Sequence, residues 1–381
     1  MGSRGRTTSG KPSVEEALDA ARQAIRALVT MSDGPLTNAS GAVVSHDGFF
    51  EAARELTQPY RVAAGFVSRK VLPVAYRAEI RAKLFRARSR LDERIEDTII
   101  HHFEHGALSL DRLLRHELFG YTKKQGVSLR LSLNTCAPTP LCGGSCYAHD
   151  GRERVTATIV SGCFTTAICR LWEAGSIPSE GLLPHVRRAV ALARDDAAFS
   201  KREYGFGRRP RVRLAHVGEI AAFPKFANWL AGAISSESNG EVDCIAYTRH
   251  PGVEGLDVSR IVVNLTVDES SENRRKWARE GVRVVWSAWD GTLDPSAEVN
   301  FLEHHEFTHS SPQGKGRVCP ATSADTERRF CDAFGCVRCF ESPLVQSKGE
   351  GLNAESSSKD VRTRTVGIMR RGAQAAGDDS A

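Results

Sequence analysis

"VSLRLSLNTCAPTPLCGGSCYAHDG", residues 127–151, is the stretch on which the reading of the fold turns. Its first nine residues read as a β-strand, and a cysteine loop follows directly. Cys136, Cys142 and Cys146 have the spacing Cys-x5-Cys-x3-Cys. Pro138, Pro140, Gly143 and Gly144 allow the loop to turn tightly and its sulfurs to converge. Three thiolates do not close a zinc site, which takes about four ligands. Either a fourth ligand comes from elsewhere, with His149 the nearest candidate, or one corner of a cluster stays open for an exogenous ligand.

Outward from the loop, more Val- and Ile-rich strands follow: "RVRLAHVG" (211–218), "EVDCIAYT" (241–248), "SRIVVNLTV" (259–267) and "VRVVWSAW" (282–289). Helical stretches lie between several of them: "GLLPHVRRAVALARDDAAF" (181–199), "FPKFANWLAGAIS" (223–235) and "SENRRKWAREG" (271–281). Strand and helix in alternation predict parallel βαβ units and an α/β fold, a complete or partial (β/α) barrel. Such barrels carry their chemistry at the C-terminal ends of the strands, where the cysteine loop sits.

Before the barrel the pattern is helical over residues 13–125. Ser13 and Glu16 form a capping-box pair, and Ala17, Ala20, Ala21, Ile25 and Leu28 follow near helical spacing. A second helix is expected over 74–106, with Ile80, Leu84, Leu91, Ile95, Ile99 and Phe103 on one stripe and Gly106 at its stop. "LSLDRLLRHELFG" (108–120) predicts a third. No chemistry is assigned to this region. Residues 1–12 and 344–381 read as disordered, leaving 126–343 as the barrel-like domain. From Pro59 to Leu91, nine Lys or Arg stand against the single acid Glu79. That basic helix (59–91) is a candidate nucleic-acid face, with a solvated surface as the plainer expectation.

The composition, 41% hydrophobic and 26% charged with a net charge of +6, is that of a globular chain. No apolar run approaches the ~20 residues of a membrane span. The start, "MGSRGRTTSGKPSVEE", has no apolar signal region, so the cytoplasm is the expected location. There, clustered cysteines point to metal or redox chemistry rather than disulfides. Besides the early three, Cys319, Cys331, Cys336 and Cys339 form a complete set of four, suited to zinc or an iron–sulfur cluster. Two sites follow, one closed and one open. Cys163, Cys169 and Cys244 sit in apolar contexts and read as small buried hydrophobes.

"CGGSCYA" (142–148) after a first strand resembles the three-cysteine motif of radical S-adenosylmethionine enzymes. An aromatic residue, here Tyr147, commonly neighbours the last cysteine there. The usual spacing in those enzymes is Cys-x3-Cys-x2-Cys, and here five and three residues intervene. The chain is also similar to the phage gene product 88 family, the phage three-Cys-motif proteins. The likeness runs through Cys136 to Ala148, "RLAHVGEIAAF" (213–223), "IAYTRH" (245–250) and the late cluster, Cys319 to Cys339. It covers about residues 126 to 343 and implies a barrel of the radical-enzyme type.

By that resemblance, Cys136, Cys142 and Cys146 hold a 4Fe–4S cluster whose open iron is chelated by S-adenosylmethionine. The late four cysteines hold a second 4Fe–4S cluster, with zinc as the alternative. Gly218–Glu219 stands for the Gly-Gly-Glu that meets the methionine amine, with Val217 in place of the first glycine. Tyr147, Thr248, Arg249, Asn264 and Trp286 are expected to face the same site. Reductive cleavage of the sulfonium would then generate a radical that takes hydrogen from a substrate, itself unknown. A zinc-stabilised nucleic-acid-binding module is the alternative function. "HHEFTHS" also holds His305-Glu306-Phe307-Thr308-His309, the zinc-peptidase pattern. Its context is poor for a long helix, because "VNFLE" before it reads as a strand and Pro312 follows.

Overall fold

The computed structural model describes residues 13–302 apart from 31–32, 69–71, 123–125, 206 and 289–291. The late cysteines and the His305–His309 motif lie outside the described residues. The chain opens with helices α1 (Val14–Val29), α2 (Phe49–Ser68), α3 (Val74–Glu104) and the single turn α4 (Leu110–Leu114). Strands β1 (Phe119–Thr122) and β2 (Gly126–Arg130) follow, then α5 (Pro140–Gly144), α6 (Thr156–Glu173) and α7 (Leu183–Tyr204). Next come β3 (Arg211–Val217), α8 (Pro224–Glu237), β4 (Asp243–Thr248), β5 (Ile261–Val267), β6 (Val282–Ala288) and β7 (Val299–Leu302).

Local sequence explains the first helices. Ser13 Oγ accepts the Glu16 amide at 3.2 Å while Glu16 Oε2 accepts the Ser13 amide at 2.7 Å, the capping box expected. Ala17, Ala21, Ala24, Ile25 and Leu28 are the buried stripe of α1. In α3, Ile80, Leu84, Leu91, Ile95 and Ile99 are buried, and the helix stops before Gly106, whose φ of 73° needs no side-chain strain.

The seven strands lie in one sheet in chain order, β1 to β7. β1 runs antiparallel to β2, and every other neighbouring pair is parallel. The fold is therefore α/β, and this strand order is compatible with a partial α/β barrel. One face of the sheet packs on helices through Leu214, Cys244, Ala246, Val263, Leu265, Val267 and Trp286, which share one core with α1, α2, α3, α6, α7 and α8. The opposite face carries Arg213, Ile245, Tyr247, Val262, Asn264, Arg283 and Val285, as the registers Arg213↔Ile245, Tyr247↔Asn264 and Asn264↔Arg283 show. Among the described residues no helix is long and apolar enough to cross a membrane.

Three expectations change. The third helix does not reach Gly120: it ends at Leu114, and Phe119–Thr122 pairs with β2 instead. Leu118 and Phe119 are buried there, and ladder pairing with β2 satisfies the backbone. Residues 271–281 form only a 3-10 segment, Glu272–Trp277, because none of its residues is buried and no apolar stripe exists to pin a helix. The basic stretch 59–91 is not one helix, since α2 ends at Ser68 and α3 begins at Val74. Nor is it a solvent face throughout, because Arg77, Arg81 and Arg88 are buried.

Candidate functional site

The cysteine loop leaves the C-terminal end of β2, the first strand of the parallel set. A 3-10 turn at Leu133–Thr135 delivers Cys136. Thr139 caps α5 by accepting the Cys142 amide at 3.0 Å, with Pro140 in the first helical position, where its missing amide costs nothing. A second 3-10 turn, Tyr147–His149, follows Cys146. Cys146 is buried and Cys136 and Cys142 are half-buried; all three are free thiols.

The loop is clamped from two sides. On the helical side, Asp92 Oδ2 accepts the Leu133 amide at 2.8 Å. Glu96 accepts from Asn134 Nδ2 at 2.8 Å and also from the Ser132 hydroxyl. Arg81 donates to the Cys146 carbonyl at 2.9 Å and to both carboxylate oxygens of Asp150 at 3.0 and 3.1 Å. Tyr60 donates to the Ala148 carbonyl at 3.1 Å. On the sheet side, Thr139 donates to Asp268 Oδ2 at 2.6 Å, just past β5. Arg274 donates to the carbonyls of Ala137 and Arg249 at 2.7 Å and of Pro138 at 3.3 Å.

Gly218–Glu219 ends β3 against this loop. Gly218 has a φ of 75°, and a Cβ there would stand 2.5 Å from the Leu131 Cβ and 2.8 Å from the Ser132 carbonyl, so the position requires glycine. The bend brings the Glu219 amide to Thr135 Oγ1 at 2.9 Å. The Glu219 carboxylate accepts the Arg249 amide, at 3.1 and 3.3 Å to its two oxygens. Burial raises its pKa, opposed by the Thr248 hydroxyl, the Arg249 amide and charge, and Arg274.

The three thiols lie within one another's electrostatic field. Burial pushes Cys136 well above the usual thiol range, and Glu219, Cys146 and Cys142 push further while Arg249 opposes. Cys146 is pushed up to about 12 by burial and by Cys142, opposed by the Ala148 backbone, Arg81 and Arg88. A thiolate at either position needs a compensating cation, which is what a bound metal supplies.

Among the described residues, no group of three or more His, Cys, Asp or Glu stands close enough to hold a single metal ion. His149 stands three residues past Cys146, with its Nε2 buried and without a hydrogen-bond partner among the described residues. It is fully buried, its Nδ1 lies 3.0 Å from the Tyr60 hydroxyl, and burial lowers its pKa to about 3.

The remaining expected residues divide between the rim and the two faces of the sheet. Thr248 is buried at the end of β4 beside Glu219, and Arg249 follows it. Tyr147 is 44% exposed next to Cys146. Asn264 is not a strand end: it is buried midway along β5 and accepts from Arg283 Nη1 at 3.1 Å. Trp286 belongs to the helix-packed face, opposite to Asn264, because successive side chains of a strand alternate in direction. Cys163, Cys169 and Cys244 are buried, as their apolar contexts implied.

The sequence reading missed Arg81, Asp92 and Glu96 of α3, and Asp268 and Arg274 on the sheet side. The signal in α3 was present. Arg88, Asp92 and Glu96 recur every four residues beside an apolar stripe, so this helix buries a polar ridge as well as an apolar one. Comparison of the chain with family models, with curated proteins and with solved structures found no match.

Proposed function

We propose that the chain is a phage-type iron–sulfur protein with a radical S-adenosylmethionine-like core, acting as an enzyme on a substrate not yet identified. One observation carries the reading: the cysteine loop at the C-terminal rim of the first parallel strand is locked to Gly218–Glu219 at the rim of the second, through Thr135. Three free thiols on one loop are the donor type of an iron–sulfur cluster. Each thiolate of such a cluster binds a different iron, so the sulfurs stand farther apart than around one metal. Cys136, Cys142 and Cys146 would hold it, leaving one iron open. When bound, it would supply the electron and the open iron to which S-adenosylmethionine binds.

The chain's own residues do the positioning. Arg81 and Arg274 hold the loop by its carbonyls, so the thiols keep their places before metal arrives. Glu219 is held by Thr248 and Arg249 at a depth where water does not compete, a suitable seat for an ammonium group. Cys319, Cys331, Cys336 and Cys339 would hold the second cluster, or zinc.

Anaerobic purification and reconstitution test this. The expected result is brown protein with about eight irons if both sites hold four-iron clusters, and an electron paramagnetic resonance signal that shifts with S-adenosylmethionine. Cys142→Ala or Cys146→Ala should stay folded and lose one cluster. Stoichiometric zinc without thiolate-to-iron absorbance, or full iron in Cys146→Ala, would overturn the reading.

A further inference from the structure

Arg213 and Arg283 stand on the sheet face opposite the helices, Arg249 and Arg274 stand at the rim beside the cysteine loop, and three of these four are engaged. Arg249 donates to Ser287 and faces Glu219 and Asp268. Arg274 donates to the loop carbonyls of Ala137 and Pro138 and to the Arg249 carbonyl. Arg283 is paired with Glu298 at 3.1 Å and bonded to Asn264. The fourth, Arg213, is different. Its Nε donates to the Ala215 carbonyl at 2.8 Å, and its guanidinium lies over the Tyr247 ring, 4.9 Å from the centroid. These two contacts fix the plane of the guanidinium without neutralising it. Among the described residues its two Nη groups have no hydrogen-bond or ion-pair partner. Arg213 is half-buried on the sheet face opposite the helices, and neither Nη is among the fully buried polar atoms that lack a partner. Tyr147, which follows the last loop cysteine, lies within its electrostatic range.

A pre-oriented guanidinium with both Nη groups available matches two oxygens of one oxyanion. We infer that Arg213 is the receptor for the phosphate or carboxylate group of the substrate, held on Tyr247 beside the cysteine loop. That the anion belongs to a substrate rests on the function proposed above; that an anion binds here does not.

The test is calorimetric titration of the full chain with inorganic phosphate and, separately, with malonate, in iron-free and in cluster-loaded protein. At least one anion should bind saturably to both, and Arg213→Gln should weaken it about tenfold or more, the effect of one charge-assisted bidentate contact. Arg213→Lys, which keeps the charge and loses the fork, should fall between and decides the matter if the Gln variant misfolds. Arg209→Gln, an exposed arginine bonded to the Gly240 carbonyl, should bind as the wild type does. Equal binding by Arg213→Gln, equal losses in both Gln variants, or no saturable binding would overturn the site. Displacement of the anion by S-adenosylmethionine in cluster-loaded protein would assign Arg213 to the cofactor's carboxylate and overturn the substrate. Binding that survives in a protein unable to hold iron would sink the proposed function while leaving this site standing.

Discussion

Gly218 and Glu96 show how single residues set the site. Gly218→Ala would force a left-handed backbone costing about 1–3 kcal/mol and also drive a methyl group into Leu131 and Ser132. Gly151→Ala is the control, with a φ of 53° and no atom within 4 Å of the added carbon. Thermal unfolding should show the larger loss at Gly218, and equal losses would mean the close packing there is unimportant. Glu96 is pushed up to about 8, by burial first and by Asp92, against the hydrogen bonds from Ser132 and Asn134. Its unfolded value is about 4.3, so the folded chain keeps a proton that the unfolded chain has released. This group's stabilisation is therefore complete below about pH 4.3 and is lost as pH rises through about 8. The slope approaches about 1.4 kcal/mol per pH unit between those limits. Glu96→Gln, isosteric with the protonated acid, should flatten that part of the stability curve in denaturant titrations from pH 5 to about 8. An unchanged slope would mean that Glu96 is ionised in the folded protein.

At the scale of elements, α3 and the loop after β2 act as a pair. In the sequence α3 shows an apolar stripe and a basic face, yet Arg81, Asp92 and Glu96 bind the backbone or side chains of residues 132–134, 146 and 150. Arg81→Gln should cost about 1–3 kcal/mol, because the buried Cys146 carbonyl loses its donor and Asp150 its bidentate partner. A thiol reagent should then label Cys146 faster than in the wild type. Unchanged labelling and stability would show that α3 is packed beside the loop without holding it. The same inward turn of Arg77, Arg81 and Arg88 removes three charges from the basic stretch proposed for nucleic acid.

Over the whole molecule, α1, α2 and α3 share one core with the parallel sheet and its helices. Leu28, Tyr60 and Leu91 belong to the same apolar cluster as Leu129, Ile168 and Val263. The helical region and the barrel-like region therefore stabilise each other. A chain lacking residues 1–105 would expose that shared face and lose the ties to the cysteine loop. It is expected to be insoluble, or to show no cooperative unfolding by circular dichroism. A cooperative transition in the truncated chain would mean that the sheet is self-sufficient.

The sequence by itself determined the local elements and their class. The capping box of Ser13 and Glu16, the stripe of α3, the Val- and Ile-rich strands and the turn residues of the cysteine loop are all short-range signals, written within a few residues of where they act. It also placed the loop and Gly218–Glu219 at successive strand ends. Only the tertiary structure decided what lies beside what. β1 became a strand because β2 offered it a ladder edge, and residues 272–277 stayed a 3-10 turn for want of an apolar face to bury. Asn264 and Trp286 parted to opposite faces by strand register. Arg81, Arg88, Asp92 and Glu96 turned inward because partners distant in sequence or a turn away were there to bond them. A charge on a helix reads as a surface charge until its partner is known, because burial is affordable only when the partner is in place.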